Sequence, residues 1–203
     1  MAATKIPDVS AVSFEEGLAR ACAHLERREL DGKSALILID GRAGSGKTRF
    51  AKELGERFFS EHKFLPKMLS MDDIYPGWEG LQAGSVYLQE RVLSPLANGK
   101  TASWQLWDWE LGERGQNEPG NGIRSHEPGS PLIVEGCGSM SRENSQLATL
   151  SIWIESETES RRARFSERDE GRFDGFFGIW AAQEDAFYAE NRPLELSDLI
   201  VRN

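Results

Sequence analysis

The chain has 203 residues, 39% of them hydrophobic, and a formal net charge of −9. That length and apolar content support one buried core rather than two separate domains, and the acidic surface repels polyanions, which argues against a nucleic-acid binder or a protein that docks on anionic membranes. Two cysteines, Cys22 and Cys137, show no CxxC or Cys/His spacing and so give no zinc module.

His24, His62 and His126 are scattered and read as helix-surface or solvated side chains. The stretch MAATKIPDVS has no apolar signal region, and no apolar run approaches membrane-spanning length, so the expectation is a soluble, cytoplasmic protein.

In chain order, Ser13-Phe14-Glu15-Glu16 has capping-box spacing. It opens a helix with Leu18, Ala21, Cys22 and Leu25 on one face, closed by Asp31-Gly32. Residues 1–32 are thus a helical lead-in. Leu36 to Asp40 is an apolar run of strand length. It is followed at once by GRAGSGKT, Gly41 to Thr48, and then by a helical stretch to about Glu61 with Phe50, Leu54 and Phe58 turned to the core. A strand over Leu65 to Ser70 ends in the polar turn Met71-Asp72-Asp73-Ile74-Tyr75-Pro76-Gly77. Ser85 to Asn98 reads as a helix ended or kinked by Pro95, with Gly99 as its cap. Ser103 to Trp109 alternates like a strand and is rich in tryptophan. Gly112 to Pro131 has the composition of a long surface hairpin or loop.

The apolar Leu132-Ile133-Val134 ends in Glu135-Gly136. A short helix over Ser141 to Leu147 and a strand over Leu150 to Ile154 follow. Ser156-Glu157-Thr158-Glu159 again has capping-box spacing and opens a helix carrying Arg161, Arg162, Arg164 and Arg168. Residues 156–174 form a candidate lid. Gly175 to Arg192 is a last long helix and Leu199 to Val201 a last strand. Strands alternating with helices predict an α/β fold over residues 1–203, with a parallel sheet covered on both faces.

The strand–loop–helix unit at Gly41 to Thr48 has the spacing of a phosphate loop. Gly41, Gly44 and Gly46 free the backbone so that its N–H groups, with those of Arg42, Ala43 and Ser45, curl around the phosphates of ATP. Lys47 brings positive charge to the outer phosphates, and Thr48 offers a hydroxyl to Mg²⁺. Ligands of open parallel sheets sit beyond the strands' carboxyl ends, where Asp72, Asp73, Asp108 and Glu135 are expected to converge. Glu135 is the candidate second magnesium ligand, the alternative being a carboxylate favoured by a helix N-terminus. Asp72 is the candidate general base, and Asp73 shapes the turn or supports it. Arg161, Arg164 and Arg168 share one helical stripe suited to closing over phosphate; a solvated charged face is the plain alternative. For Trp104, Trp107 and Trp109, a core position is expected for at least one side of the strand, and the alternative for another of them is stacking on a planar substrate.

IDGRAGSGKT, MDDIY, IVEG, the arginine-rich ESRRARFSERD and the closing SDLIV together resemble the uridine kinase-like branch of P-loop kinases, over roughly residues 35 to 201. That branch includes uridine/cytidine kinase, nicotinamide riboside kinase, phosphoribulokinase and pantothenate kinase. The resemblance implies transfer of the γ-phosphate of ATP to a hydroxyl of a nucleoside-, sugar- or vitamin-like acceptor. Asp72 would deprotonate that hydroxyl, Asp73 and Tyr75 would flank it, Asp108 would lie near a sugar or polyol, and Arg161 to Arg168 would close over ATP. WDWELGE and the Gly-rich loop stand where uridine kinases carry their substrate-binding elements. The alternatives are a nucleoside monophosphate kinase and an ATP-binding regulatory protein that is not a kinase.

Overall fold

The computed structural model describes residues 11–27, 34–115, 122–168 and 171–203, with only the backbone for Arg27 and Arg168. Asp31-Gly32 lies outside them, as does part of the Gly-rich loop. In chain order the elements are β1 (Val12–Ser13), α1 (Phe14–Arg27), β2 (Leu36–Asp40), α2 (Lys47–His62) and β3 (Lys67–Ser70). Then come α3 (Leu81–Leu88), α4 (Ser94–Ala97), β4 (Ala102–Gln105), β5 (Trp107–Asp108), β6 (Glu113–Arg114) and β7 (Ile123–His126). The chain continues through β8 (Leu132–Glu135), α5 (Arg142–Leu147), β9 (Leu150–Glu155), α6 (Thr158–Arg168), α7 (Asp174–Asn191), α8 (Pro193–Leu196) and β10 (Leu199–Arg202).

Six strands form one parallel sheet in the order β1-β10-β9-β2-β8-β3. All five residues of β2 are buried, which explains a continuous apolar run rather than an alternating one. Its side chains divide by the two-residue period. Leu36 and Leu38 join Leu132, Val134, Leu88 and Phe187 on one face, and Ile37 and Ile39 join Ala21, Phe50 and Leu54 on the other. Truncating a side chain so buried costs about 2–5 kcal/mol. Because β2 lies between β8 and β9, with Ile39 opposite Glu135 and Glu135 opposite Ser70, the loops after β2, β3 and β8 open side by side.

Several elements depart from the sequence reading. The helix expected from Ser85 begins at Leu81 and continues through a wide turn at Gln89–Leu93 into α4, which accommodates Pro95 in its first turn. The wide turn relaxes the tight ladder that a proline would otherwise break. Gly99, with φ +68°, terminates it. The aromatic strand splits at Leu106 and lies outside the main sheet: β4 pairs with β7 and β5 with β6, both antiparallel. Leu106 donates its N–H to Gly122 and accepts one from Gly115, so each half has its own hairpin partner. The capping box at Ser13 forms on its first side, Glu16 N–H donating to Ser13 Oγ at 3.3 Å. The one expected at Ser156 does not: α6 starts at Thr158, and Ser156 Oγ has no hydrogen-bond partner among the described residues. The edge strand β1 was not anticipated.

Candidate active site

The loop after β2 wraps into the first turn of α2, whose leading N–H groups have no intrahelical acceptor. Gly44 has φ +76°, and a Cβ there would overlap the carbonyl oxygen of Arg161, so the loop both needs a left-handed residue and lies directly under α6. Gly44, Gly46, Lys47 and Thr48 border a cavity of about 730 Å³, together with Asp72 from the turn after β3, Glu135 at the end of β8 and Arg164 of α6. The adjacency of β2, β8 and β3 brings these groups together.

Lys47 is buried, its Nζ 3.1 Å from the Arg42 carbonyl oxygen and 3.4 Å from Cys137 Sγ. Burial alone would lower its pKa. Glu135, Glu184 and Asp40 around it outweigh that and raise it, so the ammonium is charged. Thr48 Oγ1 lies 3.2 Å from both carboxylate oxygens of Glu135. Burial raises the pKa of Glu135, with Asp72 adding to the effect, and Lys47, Ser70 and Thr48 oppose it. A hydroxyl and a buried, charge-crowded carboxylate meeting at one point are the oxygen donors a hard divalent cation takes, so this pair fits Mg²⁺.

Asp72 is exposed and borders the cavity; the turn that carries it is fixed by its own N–H donating to Ser70 Oγ at 3.4 Å. Tyr75 is a wall of the cavity, buried, with its hydroxyl donated to the Cys137 carbonyl at 2.6 Å and therefore committed. Asp73 is not on the cavity wall. Burial, then Asp72, raise its pKa. Asp108 is also displaced from its expected place: its Oδ1 accepts the N–H groups of Glu110 and Leu111 at 2.9 Å, and it builds the turn of the β5–β6 hairpin. The side chains that this turn sends to the cavity are Trp109 and Glu110, with Trp109 Nε1 donating to the Asp72 carbonyl at 2.9 Å.

The arginine stripe separates into different environments. Arg164 borders the cavity and donates to the Gly44 carbonyl at 2.8 Å. Arg161 is 9% exposed and not on the cavity wall, donating to the Ala43 carbonyl at 3.3 Å and to Thr158 Oγ1 at 3.2 Å. Arg168 ends α6, and its side chain lies outside the described residues. Arg42 turns away from the loop to Asp185, 2.7 Å distant. Ser45 offers its carbonyl to Asn203 Nδ2 at 2.8 Å.

Sequence reasoning missed the aromatic wall. Trp78 lies 5.3 Å from Trp109, 5.1 Å from Phe173 and 6.2 Å from Trp180, ring centre to ring centre, and stacks on Phe176 at 4.5 Å. Trp104, in contrast, is a core residue at 3% exposure. The helical spacing of Trp180, Gln183, Glu184, Phe187 and Tyr188 was a usable signal for the inward face of α7.

Asp40, fully buried at the end of β2, accepts N–H groups of Gly41, Gly138 and Met140 at 2.6, 3.1 and 2.8 Å and the Tyr188 hydroxyl at 2.7 Å. Burial pushes its pKa up to about 6, against the lowering effect of these donors and of Lys47. The folded value exceeds the ordinary 3.8, so the stability linked to this proton is complete below 3.8 and is lost as pH rises through about 6. Between those limits the loss corresponds to roughly 3 kcal/mol. Urea unfolding at a series of pH values is expected to show this slope in the parent and a flatter one in Asp40→Asn; equal slopes would contradict the assignment.

Among the solved structures that the architecture matches are the following three. One is a candidate uridine kinase from Bacillus stearothermophilus, with a TM-score of 0.62 and 16% identity, covering 92% of this chain and 98% of that one. The second is a candidate fructose transport system kinase from Silicibacter sp. TM1040, with a TM-score of 0.57, 20% identity and coverage of 91% and 98%. The third is D-glycerate 3-kinase from Cryptococcus neoformans, with a TM-score of 0.51, 11% identity and coverage of 90% and 87%. The chain shares the fold of these structures. At these identities the likeness is one of fold. No protein-family model matches the sequence, and no curated protein sequence matches it. In this fold Gly44, Gly46, Lys47, Thr48, Asp72 and Glu135 all border one cavity. Among the described residues no helix is long and apolar enough to cross a membrane.

Proposed function

We propose that the protein is an ATP-dependent small-molecule kinase that transfers the γ-phosphate to a hydroxyl group. The observation that carries this reading is the single cavity that Lys47, Thr48 and Glu135 share with Asp72, Arg164 and an aromatic wall. The loop N–H groups and Lys47 hold the phosphates, and Thr48 with Glu135 would hold Mg²⁺, which when bound neutralises phosphate charge. Asp72 takes the proton from the acceptor oxygen as that oxygen bonds to the γ-phosphorus. The bond from phosphorus to the bridging oxygen breaks, and ADP leaves with the electron pair. Lys47 and Arg164 offset the charge on the transferring group.

The acceptor is a neutral or weakly charged alcohol of the nucleoside, sugar or vitamin type. Asp72 and Glu110 accept hydrogen bonds from hydroxyls and repel anions, and Trp78, Trp109 and Trp180 offer faces to a ring. A nucleoside monophosphate kinase is the second reading, favoured by Arg172 at the cavity wall. Acceptor-dependent ADP release across nucleosides, sugars, vitamins and their monophosphates separates the two. Release with unphosphorylated alcohols supports the proposal; release with monophosphates alone overturns it. ADP release that responds to a protein partner and to no small molecule would mark a regulatory ATP-binding protein.

The two lid arginines should behave differently. Arg164→Ala is expected to lower turnover by about tenfold or more, the worth of one charge-assisted hydrogen bond, with little change in melting temperature. Arg161→Ala, which removes a buried guanidinium and leaves the half-buried Ala43 carbonyl without its donor, is expected to lower the melting temperature by several degrees, about 1–3 kcal/mol. Paired turnover and melting measurements check this, and unchanged turnover in Arg164→Ala would make the stripe a structural clamp only.

A further inference from the structure

Glu184 of α7 lies off the cavity wall, with a side chain 2% exposed. A carboxylate at that depth is strongly unfavourable unless its oxygens are hydrogen-bonded and its charge is countered. Three groups do this. The Ala43 N–H donates to Oε1 at 2.6 Å, the Cys137 thiol donates to the same oxygen at 3.2 Å, and the Arg42 guanidinium lies 3.6 Å from Oε2. Burial holds the thiol pKa far above its usual range, so Cys137 stays protonated and can donate. Two of the three partners belong to the phosphate loop, 141 positions away in sequence for Ala43.

The rest of α7 acts on the same segment. One turn further on, the Tyr188 hydroxyl lies 3.3 Å from the Gly41 carbonyl and 2.7 Å from Asp40 Oδ1. From the opposite side Arg161 donates to the Ala43 carbonyl. The N–H and the C=O of Ala43 are therefore fixed by two different helices, and the N–H is already taken by a carboxylate that belongs to the protein. A phosphate loop is a concave array of N–H dipoles, and its affinity depends on those dipoles being aimed before the anion arrives.

We propose that Glu184 is a positioning residue for the nucleotide. By anchoring Ala43 from beneath, it holds the loop so that the N–H groups from Gly44 onward point into the cavity. It does not touch phosphate. The proposal rests on the reading that the loop binds Mg·ATP. It also runs against simple electrostatics, because a carboxylate beside a triphosphate site should by charge alone weaken binding. The two effects therefore have opposite signs in a mutant.

The test is calorimetric titration of Mg·ATP and Mg·ADP into the parent, Glu184→Ala, Glu184→Gln and Glu184→Asp proteins, with near-UV circular dichroism on each. Glu184→Ala is expected to weaken both nucleotides by about tenfold, the worth of one buried hydrogen bond to a charged group. Glu184→Gln keeps an acceptor for the Ala43 N–H without the charge and should bind within about threefold of the parent. Glu184→Asp keeps the charge but is one methylene too short and should bind as weakly as Glu184→Ala. If the alanine variant does not fold, the Gln and Asp variants carry the comparison, with Gln the tighter. Equal or tighter binding by a folded Glu184→Ala, or Asp binding tighter than Gln, overturns the proposal. A folded parent that binds neither nucleotide overturns the underlying reading as well, and is distinguished by needing no variant.

Discussion

Asp72→Asn is expected to bind Mg·ATP as tightly as the parent and to lose acceptor phosphorylation by about 10²–10⁴-fold, the usual contribution of a positioned general base. The substitution keeps the shape and hydrogen-bonding reach of the side chain and removes its capacity to accept a proton. Asp72 borders the cavity with Lys47, Thr48 and Glu135, and its backbone is tied to Ser70 and Trp109, so the variant has little reason to rearrange. Nucleotide affinity comes from calorimetry and transfer rates from product formation under saturating ATP. Near-parental transfer in Asp72→Asn would remove the base assignment and favour the monophosphate-kinase reading.

The second large effect is at Lys47. Its ammonium sits within reach of the Arg42 carbonyl and the Cys137 thiol, at the cavity edge and among the carboxylates Glu135, Glu184 and Asp40. Lys47→Ala should weaken Mg·ATP by roughly 100-fold, taking two charge-assisted hydrogen bonds to phosphate at about 1.5 kcal/mol each. It should also remove the counter-charge that holds down the pKa values of Glu135 and Asp40. The checks are a calorimetric titration and a far-ultraviolet spectrum matching the parent. Unchanged affinity in a folded Lys47→Ala protein would mean that the loop is not where ATP binds.

The phosphate loop was legible in the sequence because everything that makes it is contiguous: an apolar run with no polar break, glycines at positions 41, 44 and 46, then a helix. The place of Glu135 was legible for a related reason, since it stands at the end of a strand whose residues are all buried. Asp108 was misplaced because two-residue alternation identifies a strand without saying which sheet it joins. The pairing of β4 with β7 and β5 with β6 is set by backbone bonds to residues beyond Gly112 that carry no side-chain signature. The helix does end soon after Pro95, at Ala97, but the wide turn at Gln89–Leu93 that precedes it has no compositional mark. Trp78, Phe173 and Trp180 each look like ordinary core residues, and their wall exists only where the loop carrying Trp78 meets the first turns of α7. The spacing of Glu184 with Trp180 and Phe187 marked the inward face of α7, but a charge on a helix defaults to solvent, and only the packing of α7 on the loop shows what this one contacts.

The measurement that bears most directly on the whole account is the fate of the terminal phosphate. ATP labelled at the γ-position is incubated with Mg²⁺, the protein and each unphosphorylated alcohol of the panel, and the label is traced to product. The predicted result is label in a phosphomonoester of one acceptor, equal in amount to the ADP formed and lost in Asp72→Asn. Label found only in inorganic phosphate, whatever alcohol is present, would contradict it.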